Sequence, residues 1–118
     1  MLMRPSSKSV AANGSATIAQ ITSGLGSIKM NTGEYLNPGY RTSKAALNML
    51  NMVVAHEVKA HKIATVVLCP GFVATDLNGH TGILQPSQSA AMLAKNIAGV
   101  KLEETGKFIS HDGNEYPW

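Results

Sequence analysis

Short apolar runs alternate with longer helical stretches along this chain. Ala16-Thr17-Ile18-Ala19-Gln20-Ile21-Thr22, ending at Ser23, reads as a short buried strand. Ile63-Ala64-Thr65-Val66-Val67-Leu68-Cys69 is a near-continuous apolar run, typical of a parallel strand covered on both faces. Lys107-Phe108-Ile109-Ser110 predicts a short last strand. Between the first two, Asn37-Pro38 opens a helix with an N-cap residue followed by proline at the first helical position, and the helix runs to about His61. Its positions Ala45, Ala46, Leu47, Met49, Leu50, Met52, Val53, Val54 and Ala55 are apolar on nearly every side, more than a helix with one wet face requires. One side therefore packs on the sheet and another meets a partner helix. Pro86 to about Val100 predicts a second helix, with Ala91, Met92, Leu93, Ala94, Ile97 and Ala98 as its buried stripe. Met1 to about Ala12 reads as the end of a helix, closed by Asn13-Gly14. The order strand, helix, strand, helix, strand, with long crossovers, implies an α/β fold with three parallel strands.

The loops at the carboxyl ends of the strands then become the places to look for chemistry, because open parallel sheets bind ligands there. Ser23-Gly24-Leu25-Gly26-Ser27 follows the first strand, and small residues let the backbone turn sharply there. It is not a dinucleotide fingerprint, which would need glycine at the position of Lys29. Ile28 to Leu36 is expected to be an irregular loop. Pro70-Gly71-Phe72-Val73-Ala74-Thr75-Asp76 leaves the second strand and should neighbour the Ser23 loop. Asn78 to Gln85 reads as a glycine-rich connection able to act as a lid over a substrate pocket.

Composition narrows the classes. The 118 residues fit one domain, and 44% hydrophobic with 14% charged residues speaks against disorder. The net charge of +3 is scattered, with no basic run that would make a nucleic-acid face. No stretch approaches the ~18 apolar residues of a membrane span. A single cysteine, Cys69, allows no internal disulfide and reads as a small core residue. With no signal-peptide pattern at Met1 to Pro5, a cytoplasmic setting is expected. His56, His61, His80 and His111 lack ligand spacing on a shared face, so no metal is expected.

Tyr40-Arg41-Thr42-Ser43-Lys44 opens the central helix. Side chains four apart share a helix face, so Tyr40 and Lys44 point into one volume. A neighbouring ammonium favours a phenolate, which suits such a tyrosine to exchange a proton with an alcohol or carbonyl oxygen.

With these residues in place, the chain resembles the short-chain dehydrogenase/reductase family. Thr22-Ser23-Gly24-Leu25-Gly26, Tyr40-Arg41-Thr42-Ser43-Lys44-Ala45-Ala46 and Pro70-Gly71-Phe72-Val73-Ala74-Thr75 match its motifs in order. The Ser-Gly-Leu-Gly-Ser-Ile stretch and the closing Gly106-Lys107-Phe108 to Pro117-Trp118 segment are most similar to the sniffer and C-factor type of carbonyl reductase. The resemblance implies NAD or NADP as cofactor, with NADP favoured, and a small carbonyl or alcohol substrate. It implies that Ser23 holds the substrate oxygen, that Tyr40 exchanges its proton, and that Lys44 supports the phenolate and grips the nicotinamide ribose. It also implies that Val73 and Thr75 match positions that meet the nicotinamide carboxamide, with Pro70 and Gly71 shaping that wall of the cofactor site. Ser23 lies further before Tyr40 than the commonest family spacing, which would select Ser27. Ser23 is preferred because it ends the strand.

The resemblance also implies that residues 1–118 form a single partial Rossmann-type domain, the C-terminal, catalytic half of the family fold. The glycine-rich pyrophosphate loop and the Asn-Asn-Ala-Gly stretch of the other half are not in this sequence. The retained strands would be neighbours, with a raw edge on the first. Three readings stay open: a nicotinamide-dependent carbonyl reductase or alcohol dehydrogenase, a truncated member that keeps the catalytic residues but binds no cofactor, and an interaction module forming a homo-oligomer through the 38–61 helix.

Overall fold

The fold was obtained as a computed structural model, which describes residues 16–71, 82 and 84–118. The helix end expected before Ala12 and most of the 78–85 connection lie outside those residues.

Three parallel strands, β1 (Ala16–Ile21), β2 (Ile63–Leu68) and β3 (Phe108–Ile109), pair in the order β1-β2-β3. The register runs from Ala16 opposite Ile63 to Ile21 opposite Leu68, so β1 and β2 end at the same rim. Two helices, α1 (Pro38–Val58) and α2 (Pro86–Ala98), form the crossovers. The alternation of side chains along a strand sorts the core into two faces. Ile63 packs with Val54 and Val58 of α1, joined by Ala16 and Ile18. Val66 and Leu68 pack with Ile109 and with Leu93, Ile97 and Val100 on the other side. Burial of each such side chain contributes about 1.5–3 kcal/mol. As the middle strand β2 is buried at every residue, as its unbroken apolar run predicts. Among the described residues β1 pairs only with β2, and Ile21 at its end is 46% exposed.

Several boundaries and details differ from expectation. Asn37 precedes α1 but makes no side-chain cap: it is left-handed (φ 35°), and its backbone carbonyl accepts from Arg41 N while its amide reaches the Tyr35 hydroxyl at 3.4 Å. Proline at the next position, with no N–H to satisfy, still starts the helix. The α-helix ends at Val58, and a 3₁₀ turn over Lys59–His61 tightens the exit. In α2 only Leu93 and Ile97, with Val100 beyond, join the core, whereas Ala91, Met92, Ala94 and Ala98 are exposed. A sheet whose third strand has two residues supports one narrow stripe at four-residue spacing, not the broad face that the alanines suggest. No described helix is long and apolar enough to cross a membrane.

The tail folds back over β3. Ile109 bridges Glu115, Tyr116 N donates to Phe108 O at 2.7 Å, and the Phe108 ring meets both Tyr116 and Trp118 at 5.4 Å between centroids. Trp118 thus anchors the tail.

Candidate active site

The carboxyl rim of β1 and β2 carries the candidate residues. Thr22 N continues the sheet by donating to Leu68 O at 2.8 Å, and Ser23 follows in extended conformation. Its oxygen accepts from Leu25 N at 3.1 Å, capping a 3₁₀ turn over Gly24–Gly26. Small residues make this tight turn possible, and Gly26 lets it lie flat on α1. A Cβ at Gly26 would come within 2.9 Å of Lys44 Cβ and 3.0 Å of Lys44 C. The turn also touches the end of β2, where Gly24 N donates to Cys69 Sγ at 3.3 Å. The Ser23 and Pro70 loops are therefore neighbours, as expected from the strand order.

Tyr40 and Lys44 sit one helical turn apart at the start of α1. The Lys44 ammonium lies 5.6 Å from the centroid of the Tyr40 ring, and it donates to Ile21 O, the last carbonyl of β1, at 3.5 Å. Tyr40 is 39% exposed, so its ring faces an open rim and not the core. Arg41, between them, ties the loop to the helix: its Nε donates to Tyr35 O at 2.7 Å and its NH1 to Leu25 O at 3.2 Å.

Ser27, the residue that the commoner spacing would select, is 1% exposed. Its hydroxyl donates to Pro117 O at 2.7 Å and accepts from Met30 N at 3.2 Å. The carbonyl of Trp118 accepts from Ile28 N and, at 3.4 Å, from Lys29 N. The C-terminal tail thus clasps the loop between the serine turn and α1.

Pro70 and Gly71 stand at the end of β2. Ser89 Oγ of α2 donates to Pro70 O at 2.8 Å. Gly71 is left-handed (φ 82°), and a Cβ there would lie 2.7 Å from Leu84 Cδ1 and 2.9 Å from His111 Nδ1. Val73 and Thr75 lie outside the described residues. Nearby, burial pushes the Tyr116 phenol above its ordinary value, with Cys69 and Asp112 adding to the effect.

The sequence profile of the short chain dehydrogenase family matches residues 1–83. The chain belongs to that family. Among relatives, it is 37% identical over 103 residues to the C-signal protein of Myxococcus xanthus, covering 86% of this chain and 60% of the relative. It is 38% identical over 112 residues to 1-hydroxy-2-glutathionyl-2-methyl-3-butene dehydrogenase of Rhodococcus sp. (strain AD45), covering 90% and 48%. Among solved structures, the carbonyl reductase Sniffer of D. melanogaster superposes with a TM-score of 0.81 at 33% identity, covering 87% of this chain and 41% of that one. The NADPH-bound carbonyl reductase from chicken fatty liver superposes with 0.85 at 29% identity, covering 95% and 48%. The chain spans about half the length of the relatives it matches. Its three parallel strands and crossover helices are part of the Rossmann-type sheet of this family.

At the rim, a phenol and an ammonium converge beside backbone that leaves no room for side chains at Gly26 and Gly71. A pyrophosphate would need unpaired amides. In the serine turn those of Gly24, Leu25, Gly26 and Ser27 all donate within the chain, so this turn is no phosphate cradle.

Sequence reasoning passed over Arg41, Asn48, Thr22 and the tail as parts of the site. The signal available for Asn48 was an amide four residues after Lys44, set among mostly apolar helical residues that also include Asn51.

Proposed function

We propose that residues 1–118 act as the catalytic part of an NAD(P)-dependent oxidoreductase that exchanges a hydride between a nicotinamide and a carbonyl or alcohol carbon. The observation that carries this reading is the Lys44 ammonium, which lies beside the Tyr40 ring and touches the last carbonyl of β1, next to the turn that Ser23 begins. In the reductive direction Tyr40 gives its proton to the substrate oxygen, and the Lys44 ammonium stabilises the phenolate left behind. Ser23 donates a hydrogen bond to the same oxygen as charge builds on it. Ser23 is preferred over Ser27 because the Ser27 hydroxyl is buried between the tail and Met30. Nicotinamide, when bound, supplies or accepts the hydride. Lys44, Tyr40, Pro70 and Gly71 would hold its ribose and carboxamide end, with Val73 and Thr75 completing the wall. NADP is favoured over NAD because the chicken liver carbonyl reductase structure is NADPH-bound. A small carbonyl compound as substrate and a cytoplasmic setting complete the reading.

The test is NADPH titration followed by turnover with a panel of aldehydes and ketones. Tyr40→Phe is expected to lower turnover by about 10²–10⁴-fold, the usual contribution of a positioned acid. Turnover unchanged in Tyr40→Phe would rule the mechanism out.

A second reading is favoured by one feature of α1. Met49, Leu50 and Val53 are 67%, 42% and 52% exposed on one helix face, an apolar stripe suited to a homo-oligomer through the 38–61 segment. Self-association without NADPH binding would favour a non-catalytic interaction module or a truncated, inactive member over the enzyme.

A further inference from the structure

Beneath the candidate active site, the serine turn is held to α1 by one stripe of the helix: Arg41 at Leu25 O, Lys44 and Ala45 against Gly26, and Asn48 below them. Asn48 is 4% exposed and Thr22 is 2% exposed. The Thr22 hydroxyl donates to Asn48 Oδ1 at 2.6 Å and lies 3.5 Å from Lys44 O, while Asn48 Nδ2 donates to Gly26 O at 3.4 Å. One buried amide therefore contacts the residue before Ser23 and the last residue of the turn that Ser23 caps.

We propose that Asn48 is a positioning residue: it fixes the turn that starts at Ser23 in register with the helix face that presents Tyr40 and Lys44. Buried polar groups are costly to leave unpaired, so the amide and the hydroxyl tolerate one arrangement and disfavour slippage of the turn along the helix. The same helix carries an internal comparison. Asn51 Oδ1 accepts from the Thr65 hydroxyl of β2 at 2.8 Å, the same chemistry about one turn further on, where the partner is the sheet and not the serine turn.

The placement of the turn stands on geometry alone, and its consequence for turnover rests on the oxidoreductase reading. The experiment compares Thr22→Val, Thr22→Ser, Asn48→Leu and Thr65→Val in the full chain by amide hydrogen exchange at Gly26 and Ser27, whose N–H groups close the turn. Thr22→Val keeps the shape and removes the donor, so it remains informative if Asn48→Leu does not fold. Exchange at both amides is expected to rise about tenfold or more in Thr22→Val, to return to the wild-type rate in Thr22→Ser, and to stay slow in Thr65→Val even though that variant melts earlier. In NADPH turnover, Thr22→Val is expected to lower kcat with KM for NADPH unchanged, and Thr22→Ser to restore it. Unchanged exchange in Thr22→Val, equal loosening by Thr65→Val, or loosened amides with unchanged kcat would each overturn the proposal. A wild-type chain that binds no NADPH refutes the oxidoreductase reading instead, and the exchange comparison alone then decides whether Asn48 places the turn.

Discussion

Alanine at Gly26 tests the contact that brings the serine turn onto α1. Gly26 is not among the left-handed glycines, so alanine meets no backbone penalty and the effect is purely one of space. The added carbon would lie 2.9 Å from Lys44 Cβ, 3.0 Å from Lys44 C and 3.1 Å from Ala45 N. Two of these atoms are helix backbone and cannot rotate away. Ordinary carbon contacts are about 3.5–4.0 Å, so the turn and the helix must part by roughly 0.6 to 1 Å. Overpacking of this kind typically costs about 1–3 kcal/mol. Gly39, in the first turn of the same helix, has no atom within 4 Å of a built Cβ. There the same substitution should stabilise by about 0.5–1 kcal/mol, because alanine surrenders less backbone entropy than glycine. The two variants should move the urea midpoint in opposite directions with the slope unchanged. On the proposed oxidoreductase reading the shift also reaches the chemistry, since misplacing a reacting group by about 1 Å can cost about 10²-fold in rate. Gly26→Ala is thus expected to lower both stability and NADPH turnover, and Gly39→Ala neither. Wild-type stability in Gly26→Ala would refute the close docking of the turn.

Gly71→Ala should be the more damaging alanine, because a left-handed backbone and overlap with Leu84 and His111 act together; a loss of about 2–4 kcal/mol in thermal or urea unfolding is expected. Lys62, left-handed at φ 59° where the chain turns into β2, should gain about 0.5–1 kcal/mol on replacement by glycine, read as a higher urea midpoint. For Tyr116 the folded state disfavours the phenolate, so the unfolded chain ionises first, from about pH 10. Stability should fall as pH rises from there through the higher folded value, and Tyr116→Phe should flatten that alkaline limb in pH-dependent melting. Asp112 has the opposite sign: the Ser110 hydroxyl, then the Asn114 amide, hold its carboxyl below 3.8, so its contribution is present above that value and lost as pH falls through the lower folded one. Asp112→Asn should flatten the acid limb.

What could be read from residue order alone divides along a physical line. Tyr40 and Lys44 were legible because their relation lies within one element, where the helix repeat fixes which side chains meet. The parallel strands were legible for the same reason: an unbroken apolar run such as Ile63 to Leu68 survives only where both faces are covered. The alanines of α2 misled because alanine is common in helices whether or not it is buried, and the two-residue β3 leaves little sheet for them to cover. Contacts between distant segments left no local trace. Thr22 meets Asn48 across 26 positions and Ser27 meets Pro117 across 90, and neither spacing has a period to betray it. The choice between Ser23 and Ser27 depends on such contacts. Family spacing points to Ser27 and the strand end to Ser23, and only the folded tail reveals that the Ser27 hydroxyl is occupied by Pro117 O. The acceptor for the Ser27 hydroxyl is therefore set by the last residues of the chain and by nothing near it in sequence.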